Sequence, residues 1–305
     1  MKNHYFLTFD VGGLFIRGGV VNHQGDLITD TVSYYPSNSA ADREQLLENF
    51  IDIISRQILT IMDKYFVIQG IAFAFPGPFD YKKGICLING VNKFDSLYGV
   101  DLRSELMERL TKQRIFMKRV DPQFQIIFEN NVNMFALGEW HLRKDKAFNK
   151  IMYLTIGNGT GSAFLEQGEI ITDRKDVPPN GWVYNIPFQT SIVDDYISTR
   201  GIRRIAKQLG IDSNLDIEQI AGAARAGQED MKKVFHLFGE SLGELLTKVS
   251  SQFSPDALVI GGQISKSYDL YKDEVQFALK DKKVSVYLSD ETSYSTFIGL
   301  SKILM

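Results

Sequence analysis

At three places in the chain an apolar strand runs into paired glycines: Asp10-Val11-Gly12-Gly13, Gly157-Asn158-Gly159-Thr160-Gly161 and Gly261-Gly262. A glycine at a strand end leaves no Cβ between backbone N–H groups and an approaching anion, so such turns suit phosphate. Any one of them also meets the needs of a plain turn, but three in one chain point to a nucleotide held between two lobes. Asp10 closes the first of these strands. A carboxylate beside phosphate calls for a cation between them, so Asp10 is either a Mg²⁺ ligand, directly or through water, or a turn cap. Arg17, seven residues on, either neutralises phosphate or is a solvated hairpin residue. The run Glu129-Asn130-Asn131-Val132-Asn133 places polar side chains at a strand exit and helix entry. Ligands of α/β proteins collect at such places, although one asparagine there also suits an ordinary N-cap.

These residues need strands and helices to hold them, and the apolar spacing supplies both. Residues 5–10 form a short apolar run, VGG breaks it, 16–21 resume it and HQGD turns the chain, which predicts a glycine-hinged hairpin. Residues 27–33 add a third strand. Leu46, Leu47, Phe50, Ile51, Ile54, Ile58 and Ile61 recur at helical spacing and predict an amphipathic helix over 40–65. A buried strand over 66–75 stops at Pro76-Gly77-Pro78. Then come a helix over 101–112, a buried strand over 125–128 and a helix over 132–144 entered directly from ENN. Strand and helix in alternation predict an α/β fold.

The second half opens in the same way, with a strand over 150–156, the break GNGTGS and a return over 163–171. Gln24-Gly25-Asp26-Leu27-Ile28-Thr29-Asp30 is matched by Gln167-Gly168-Glu169-Ile170-Ile171-Thr172-Asp173, each after a glycine-rich break at a similar distance. The chain therefore reads as internally duplicated; the plainer account is that hairpin turns draw on few residue types. Residues 174–189 show no clear period. Helices are predicted over 192–209, 217–226, 231–252, 268–279 and 296–304, and short strands over 257–260 and 284–287.

A length of 305 residues with 44% hydrophobic content suits two domains with separate cores. The expected lobes are 1–119 with a C-terminal helix at 292–305, and 120–291. A net charge of -3 without any dense Lys/Arg cluster argues against nucleic acid as a partner. The single cysteine, Cys86, excludes an intrachain disulfide and suits a reducing compartment. No apolar run is long enough to span a membrane and the first residues carry no signal-peptide pattern, so a cytoplasmic protein with no membrane contact is expected. His4, His23, His141 and His236 stand in no motif and read as surface or packing residues.

Together the motifs carry a resemblance. FDVGGLFIRGGVV resembles the DIGGTKIRAGLV phosphate loop of the ROK family, the sugar kinases and repressors of the actin and hexokinase fold class. FAFPGPFD resembles its PGP(V)D segment, ENNVNMFALGE its ENDANAAALGE, TIGNGTGSAFLEQGEI its second phosphate loop TLGTGIGGGIILNGKL, and SPDALVIGGQIS its adenosine segment. The order along the chain is the family's. The resemblance implies a two-lobed actin-like ATPase, ribonuclease H-like fold, and transfer of a phosphoryl group from ATP with Mg²⁺ to a sugar hydroxyl. It implies that Gly12, Gly13, Gly157, Gly159, Thr160 and Gly161 face the phosphates, that Gly261 and Gly262 flank the adenosine, and that Asn92 and Asn130 hydrogen-bond the sugar. A homodimer is implied in the same way.

The chain departs from the family pattern where the chemistry is concentrated. The catalytic Asp of END is matched by Asn131, a neutral amide that can orient a hydroxyl but cannot take its proton; a positioned base contributes about 10²- to 10⁴-fold. The GEIGH segment aligns with Gly181-Trp182-Val183-Tyr184-Asn185, so its Glu becomes Trp182 and its sugar- and metal-binding His becomes Asn185. With one cysteine in the chain, the family's zinc loop has no counterpart. Trp182 either packs in the core or stacks on a sugar ring. Asp194 stands where the family has a sugar-binding Glu, and Leu14 and Phe15 replace a Thr and a Lys of the first loop. Two readings stay open: a working ATP-dependent sugar kinase with an altered acceptor site, and a non-catalytic sugar or nucleotide sensor. A DNA-binding repressor is a weaker third, since nine residues precede Asp10.

Overall fold

The computed structural model describes residues 2–143, 148–212 and 215–304. The chain forms two compact units, Met1–Leu142 with Ser293–Met305, and Arg143–Thr292. Each has its own hydrophobic core.

The first unit opens with β1 (Asn3–Val11), β2 (Phe15–Asn22), β3 (Leu27–Pro36), α1 (Arg43–Leu59) and β4 (Phe66–Phe75). The short strands β5 (Phe79–Asp80) and β6 (Ile85–Cys86) follow, then α2 (Leu102–Leu110), α3 (Arg114–Met117), β7 (Val120–Asn130) and α4 (Asn131–Leu142). The five long strands make one sheet in the order β3-β2-β1-β4-β7, antiparallel up to β1 and parallel beyond it. Phe9, Phe73 and Phe128 sit in one row across three strands, with successive ring centroids 5.0 and 5.1 Å apart. This ladder marks the face that packs against α1, α2 and α3. The next row, Tyr34-Arg17-Asp10-Ala74-Glu129, is one residue on and so belongs to the opposite face. That face is lined by small residues: Gly19 leaves room for Phe297, and Gly70 for Leu304.

The second unit contains β8 (Lys150–Ile156), β9 (Thr160–Glu166), β10 (Glu169–Ile170), β11 (Pro187–Phe188), β12 (Ser191–Ile192), α5 (Thr199–Gln208), α6 (Ile217–Arg225), α7 (Glu229–Phe253), β13 (Ala257–Gly261), α8 (Lys272–Leu279) and β14 (Ser285–Leu288). Its sheet runs β10-β9-β8-β13-β14, with the same antiparallel-then-parallel senses as the first. In each sheet the fifth strand leads into a helix, α4 in one case and α9 (Thr292–Leu304) in the other, the latter rejoining the first unit from Ser293. The repeated hairpin letters are thus matched by a repeated sheet.

Several expected boundaries move. The division expected at 119/120 lies at Leu142/Arg143, because β7 pairs with β4 and α4 stays with that sheet. The helix expected over 40–65 is Arg43–Leu59: Asp42 caps it by accepting from the Gln45 N–H, and Thr60 ends it. The strand read at 125–128 extends over all of β7. The helix read over 192–209 begins only at Thr199, after β12 and a short 3₁₀ turn at Val193–Asp195, and Ser198 caps it. The helix read from 268 starts at Lys272, after a 3₁₀ segment, Gln263–Leu270. The helix read over 132–144 is α4, and residue 144 lies outside the described residues.

Candidate functional site

In the first unit Asp10 is nearly enclosed, with its side chain 12% exposed. Its Oδ2 accepts from Ser293 Oγ at 2.8 Å and faces Arg17 Nη1 at 3.3 Å, and Arg17 Nη1 also donates to Ser293 Oγ at 2.6 Å. Burial pushes the Asp10 pKa up, against the opposing pull of Arg17 and Ser293. Arg17, read from the sequence as a phosphate ligand or a solvated residue, pairs with Asp10 and lies over the Tyr34 ring, its side chain partly exposed. Both bonds fall on Oδ2, which leaves Oδ1 for a further partner.

Gly12 and Gly13 form the tip of the β1–β2 hairpin, where Gly12 N–H donates to Phe15 O at 2.9 Å. The Gly13 carbonyl accepts from two hydroxyls, Ser37 Oγ and Ser39 Oγ, each at 2.6 Å. A Cβ on Gly13 would come 2.7 Å from Lys93 Cδ, so the loop has little room for a side chain. Leu14 and Phe15 project into solvent. Beside this tip a broad hollow of about 780 Å³ is bordered by Gly13, Ser37, Ser39, Gln45 and Asn49. Asn92 sits on an exposed turn at φ +56°, its N–H bonded to Asp95 Oδ2 at 3.0 Å, and the neighbouring Phe94 N–H reaches Ser39 O at 2.6 Å.

Asn130 is buried, and both ends of its side-chain amide are engaged, with one Nδ2 hydrogen left over. Its Oδ1 accepts from the Val132 and Asn133 N–H groups at 2.9 and 3.2 Å, and its Nδ2 donates to Tyr81 Oη at 3.0 Å. It is therefore the N-cap of α4. Asn131 opens that helix, half-buried. Glu129, one residue back, is half-buried as well; burial raises its pKa, with only the Asn130 backbone N–H acting in opposition.

In the second unit two glycine turns meet. Gly262, at φ +89°, is so close to the end of β8 that a Cβ would lie 2.6 Å from Ile156 O. Only glycine fits there. Gly261 ends β13 beside Thr155, and the Gly262 N–H donates to Thr292 Oγ1 at 3.0 Å. The loop Gly157–Thr160 closes on itself through Gly157 N–H to Gly159 O at 3.0 Å, and Gly161 lies within β9. Asp194 is bound to this same loop: its Oδ1 accepts the Thr160 N–H at 2.6 Å and stands against Gly159, while Oδ2 pairs with Arg200. The Thr160 hydroxyl is turned away to the Ile197 carbonyl. Ser162 Oγ pins the following strip through Gly181 O at 2.5 Å and Val183 N–H at 2.9 Å, leaving Trp182 half-buried beside Tyr184 and Asn185 exposed.

The family model for the ROK family matches residues 6–297. The chain belongs to the ROK family. Among curated ROK relatives, a glucokinase of Thermotoga maritima is 24% identical over 97% of this chain and 90% of its own length. An N-acetyl-D-glucosamine kinase of Vibrio cholerae is 23% identical over 88% and 87% respectively. Among solved structures, a ROK family glucokinase from Streptomyces griseus in complex with glucose and AMPPNP superposes with a TM-score of 0.72 at 17% identity, over 98% of each chain. The fold is thus that of the ROK hexokinases, the actin-like ATPase fold.

Within this ROK chain the motif residues fall into two sets. Asp10, Gly12, Gly13, Arg17, Asn92, Asn130 and Asn131 belong to the first unit, and Gly157, Gly159, Thr160, Gly161, Asn185, Asp194, Gly261 and Gly262 to the second. Among the described residues no three His, Cys, Asp or Glu side chains gather as a metal site. Asp10, with one free carboxylate oxygen, fits a Mg²⁺ that keeps most of its water, the usual habit of this ion beside phosphate. The bare turns of the second unit fit a polyphosphate once the Asp194 carboxylate gives up the Thr160 N–H. Sequence reasoning missed Ser293, Ser37, Ser39 and Arg200. Ser293 lies 276 residues from Arg17 and carries no local signal, whereas Arg200, six residues from Asp194 across a capped helix start, could have been paired with it.

Proposed function

We propose that this ROK protein is a sugar kinase that uses ATP and Mg²⁺ to phosphorylate a hexose or related sugar. The observation that carries the reading is the meeting of the two glycine turns in the second unit, Gly157–Gly161 and Gly261–Gly262, at one sheet end, where Gly157 is bare although a Cβ would meet nothing nearer than 3.9 Å. Gly262 is needed for its close packing on Ile156, whereas a bare residue where a Cβ would fit, as at Gly157, lets a polyanion approach the backbone N–H groups. In the first unit Asp10 would hold the hydrated Mg²⁺, and Arg17 and Ser293 keep that carboxylate in place. Bound ATP and Mg²⁺ supply the activated phosphoryl group. Asn131 orients the acceptor hydroxyl, and Asn92 and the exposed Asn185 are further sugar contacts. Asn130 caps α4 through its Oδ1, and the second N–H of its Nδ2 is a further sugar contact. Phosphoryl transfer depends chiefly on positioning and charge stabilisation, so an amide at the base position lowers turnover without abolishing it. The test is ADP release with Mg²⁺ and ATP over a panel of hexoses, amino sugars and β-glucosides; no turnover with any of them sinks the reading.

A second reading, a non-catalytic sugar or nucleotide sensor, is favoured by one observation: the Thr160 N–H is already taken by an internal carboxylate. It predicts thermal stabilisation by sugar or ATP with no ADP formed.

A further inference from the structure

Resting on the kinase reading, we propose that Glu129 is the carboxylate that serves in place of the one Asn131 lacks, receiving the proton of the acceptor hydroxyl during transfer. In that step the sugar O–H bond breaks and its oxygen forms the new bond to the γ-phosphorus. The bond from that phosphorus to the β,γ-bridging oxygen breaks, ADP departs, and the proton passes to Glu129 directly or through one water.

The placement comes from strand register. Asp10 pairs with Ala74 on β4, and Ala74 pairs with Glu129 on β7, so the two carboxyl side chains share one face of the sheet with a methyl group between them. Two strand spacings separate their backbones by roughly 10 Å. The alternation that sends Phe128 and Asn130 to the core side sends Glu129 to the other. This is the C-terminal end of the parallel strands, where α/β folds collect their ligands. Asn131 follows two residues later at the start of α4.

The second observation concerns partners. Among the described residues the Glu129 carboxylate makes no side-chain hydrogen bond and no ion pair, although it is half-buried. A half-buried carboxylate with no partner beyond the Asn130 backbone N–H costs more than a glutamine filling the same space. The other charged groups of this region are already engaged: Asp10 with Arg17 and Ser293, and Glu139 of α4 with Ser295 Oγ at 2.6 Å. β4 offers the uncharged Gly70, Ala72 and Ala74 on this side. Burial alone makes Glu129 more basic than an ordinary carboxylate, which suits a proton acceptor.

The test compares wild type, E129Q, E129D and E129Q/N131D by ADP release across pH 5–9, with thermal unfolding as a check on folding. E129Q is expected to lower kcat by about 100-fold and to abolish the acid limb of the pH profile. E129D, which keeps the charge but shortens its reach, is expected to lower kcat by about tenfold while keeping that limb, and N131D added to E129Q is expected to restore turnover. Wild-type kcat and an unchanged acid limb in E129Q overturn the proposal and leave the kinase reading standing. If E129Q does not fold, an unchanged kcat in E129D overturns it equally. No ADP from wild type with any sugar removes both.

Discussion

Gly138 of α4 rests directly on the main-chain carbonyl of Ser295 in α9, and four residues on along α9 but four back along α4, Gly299 rests on the carbonyl of Met134. The two helices that follow the fifth strands of the two sheets therefore cross backbone to backbone, each supplying a glycine at its eighth position and a partner at its fourth. A Cβ at either glycine would overlap backbone, which cannot swing aside as a side chain does. G138A and G299A are each expected to destabilise the protein by about 1–3 kcal/mol, and the double variant by less than the sum because the helices need separate only once. Gly222 in α6 has no atom within 4 Å of its would-be Cβ and serves as the control. G222A should be neutral or stabilise by up to about 1 kcal/mol. Urea titration of the four variants decides the matter.

Much of this was legible in the chain, and what was not has a common cause. The glycine turns, the hairpins and their repetition are local patterns, and the matched sheet orders agree with them. The row joining Asp10, Ala74 and Glu129 depends on parallel register between segments more than fifty residues apart, which periodicity does not specify. Asn130 illustrates the opposite difficulty. Its type fits a sugar ligand and a helix cap equally well, and only the folded structure shows that its Oδ1 is taken by the cap. The late start of α5 is hidden because Ile192, Val193, Tyr196 and Ile197 are apolar at helical spacing, yet Ile192 ends a strand, Val193 opens a 3₁₀ turn, and Tyr196 and Ile197 are buried just after it.

Asn131 stands at the base position with an amide. Replacing it by aspartate adds the missing proton acceptor at the mouth of α4, where the helix dipole also favours a negative charge. N131D is expected to raise kcat by at least about tenfold, within the range a positioned base provides, with little change in the KM for ATP. Steady-state ADP release reads both constants; an unchanged kcat in N131D together with a large loss in E129Q means that Glu129 already supplies the acceptor, and an unchanged kcat in both means that proton transfer does not limit turnover.

The Asp194 carboxylate accepts the Thr160 N–H at 2.6 Å and pairs with Arg200, so it competes with any phosphate for that loop. D194N removes the charge while keeping an acceptor. Titration calorimetry with inorganic tripolyphosphate should show binding about 3- to 10-fold tighter, corresponding to roughly 1 kcal/mol. Weaker binding in D194N points to a different role, in which the pair with Arg200 holds the loop in shape.

Ser37 and Ser39 both donate to the single carbonyl of Gly13, each at 2.6 Å, and both serines are buried. Either hydroxyl alone satisfies the carbonyl, so S37A and S39A are each expected to cost about 0.5 kcal/mol, while S37A/S39A strands the acceptor and costs about 2–3 kcal/mol. The single and double variants followed by thermal unfolding should show that more-than-additive step. Equal costs for the double and for either single would mean that water replaces both hydroxyls.

Glu129 offers a signature in stability as well as in rate. Burial raises its folded-state pKa above the unfolded value, so between those two values the native state holds a proton that the unfolded chain has released. The stabilisation linked to this group is fully present below the unfolded pKa and is lost as pH rises through the folded one. E129Q has no such loss. Its melting temperature relative to wild type should therefore climb as pH rises from about 4, near the unfolded carboxylate value, and level off once wild-type Glu129 is fully ionised. A difference that stays constant across that range, or one that favours wild type at neutral pH, would show that the carboxylate has an ionic partner after all and is held there for structural reasons.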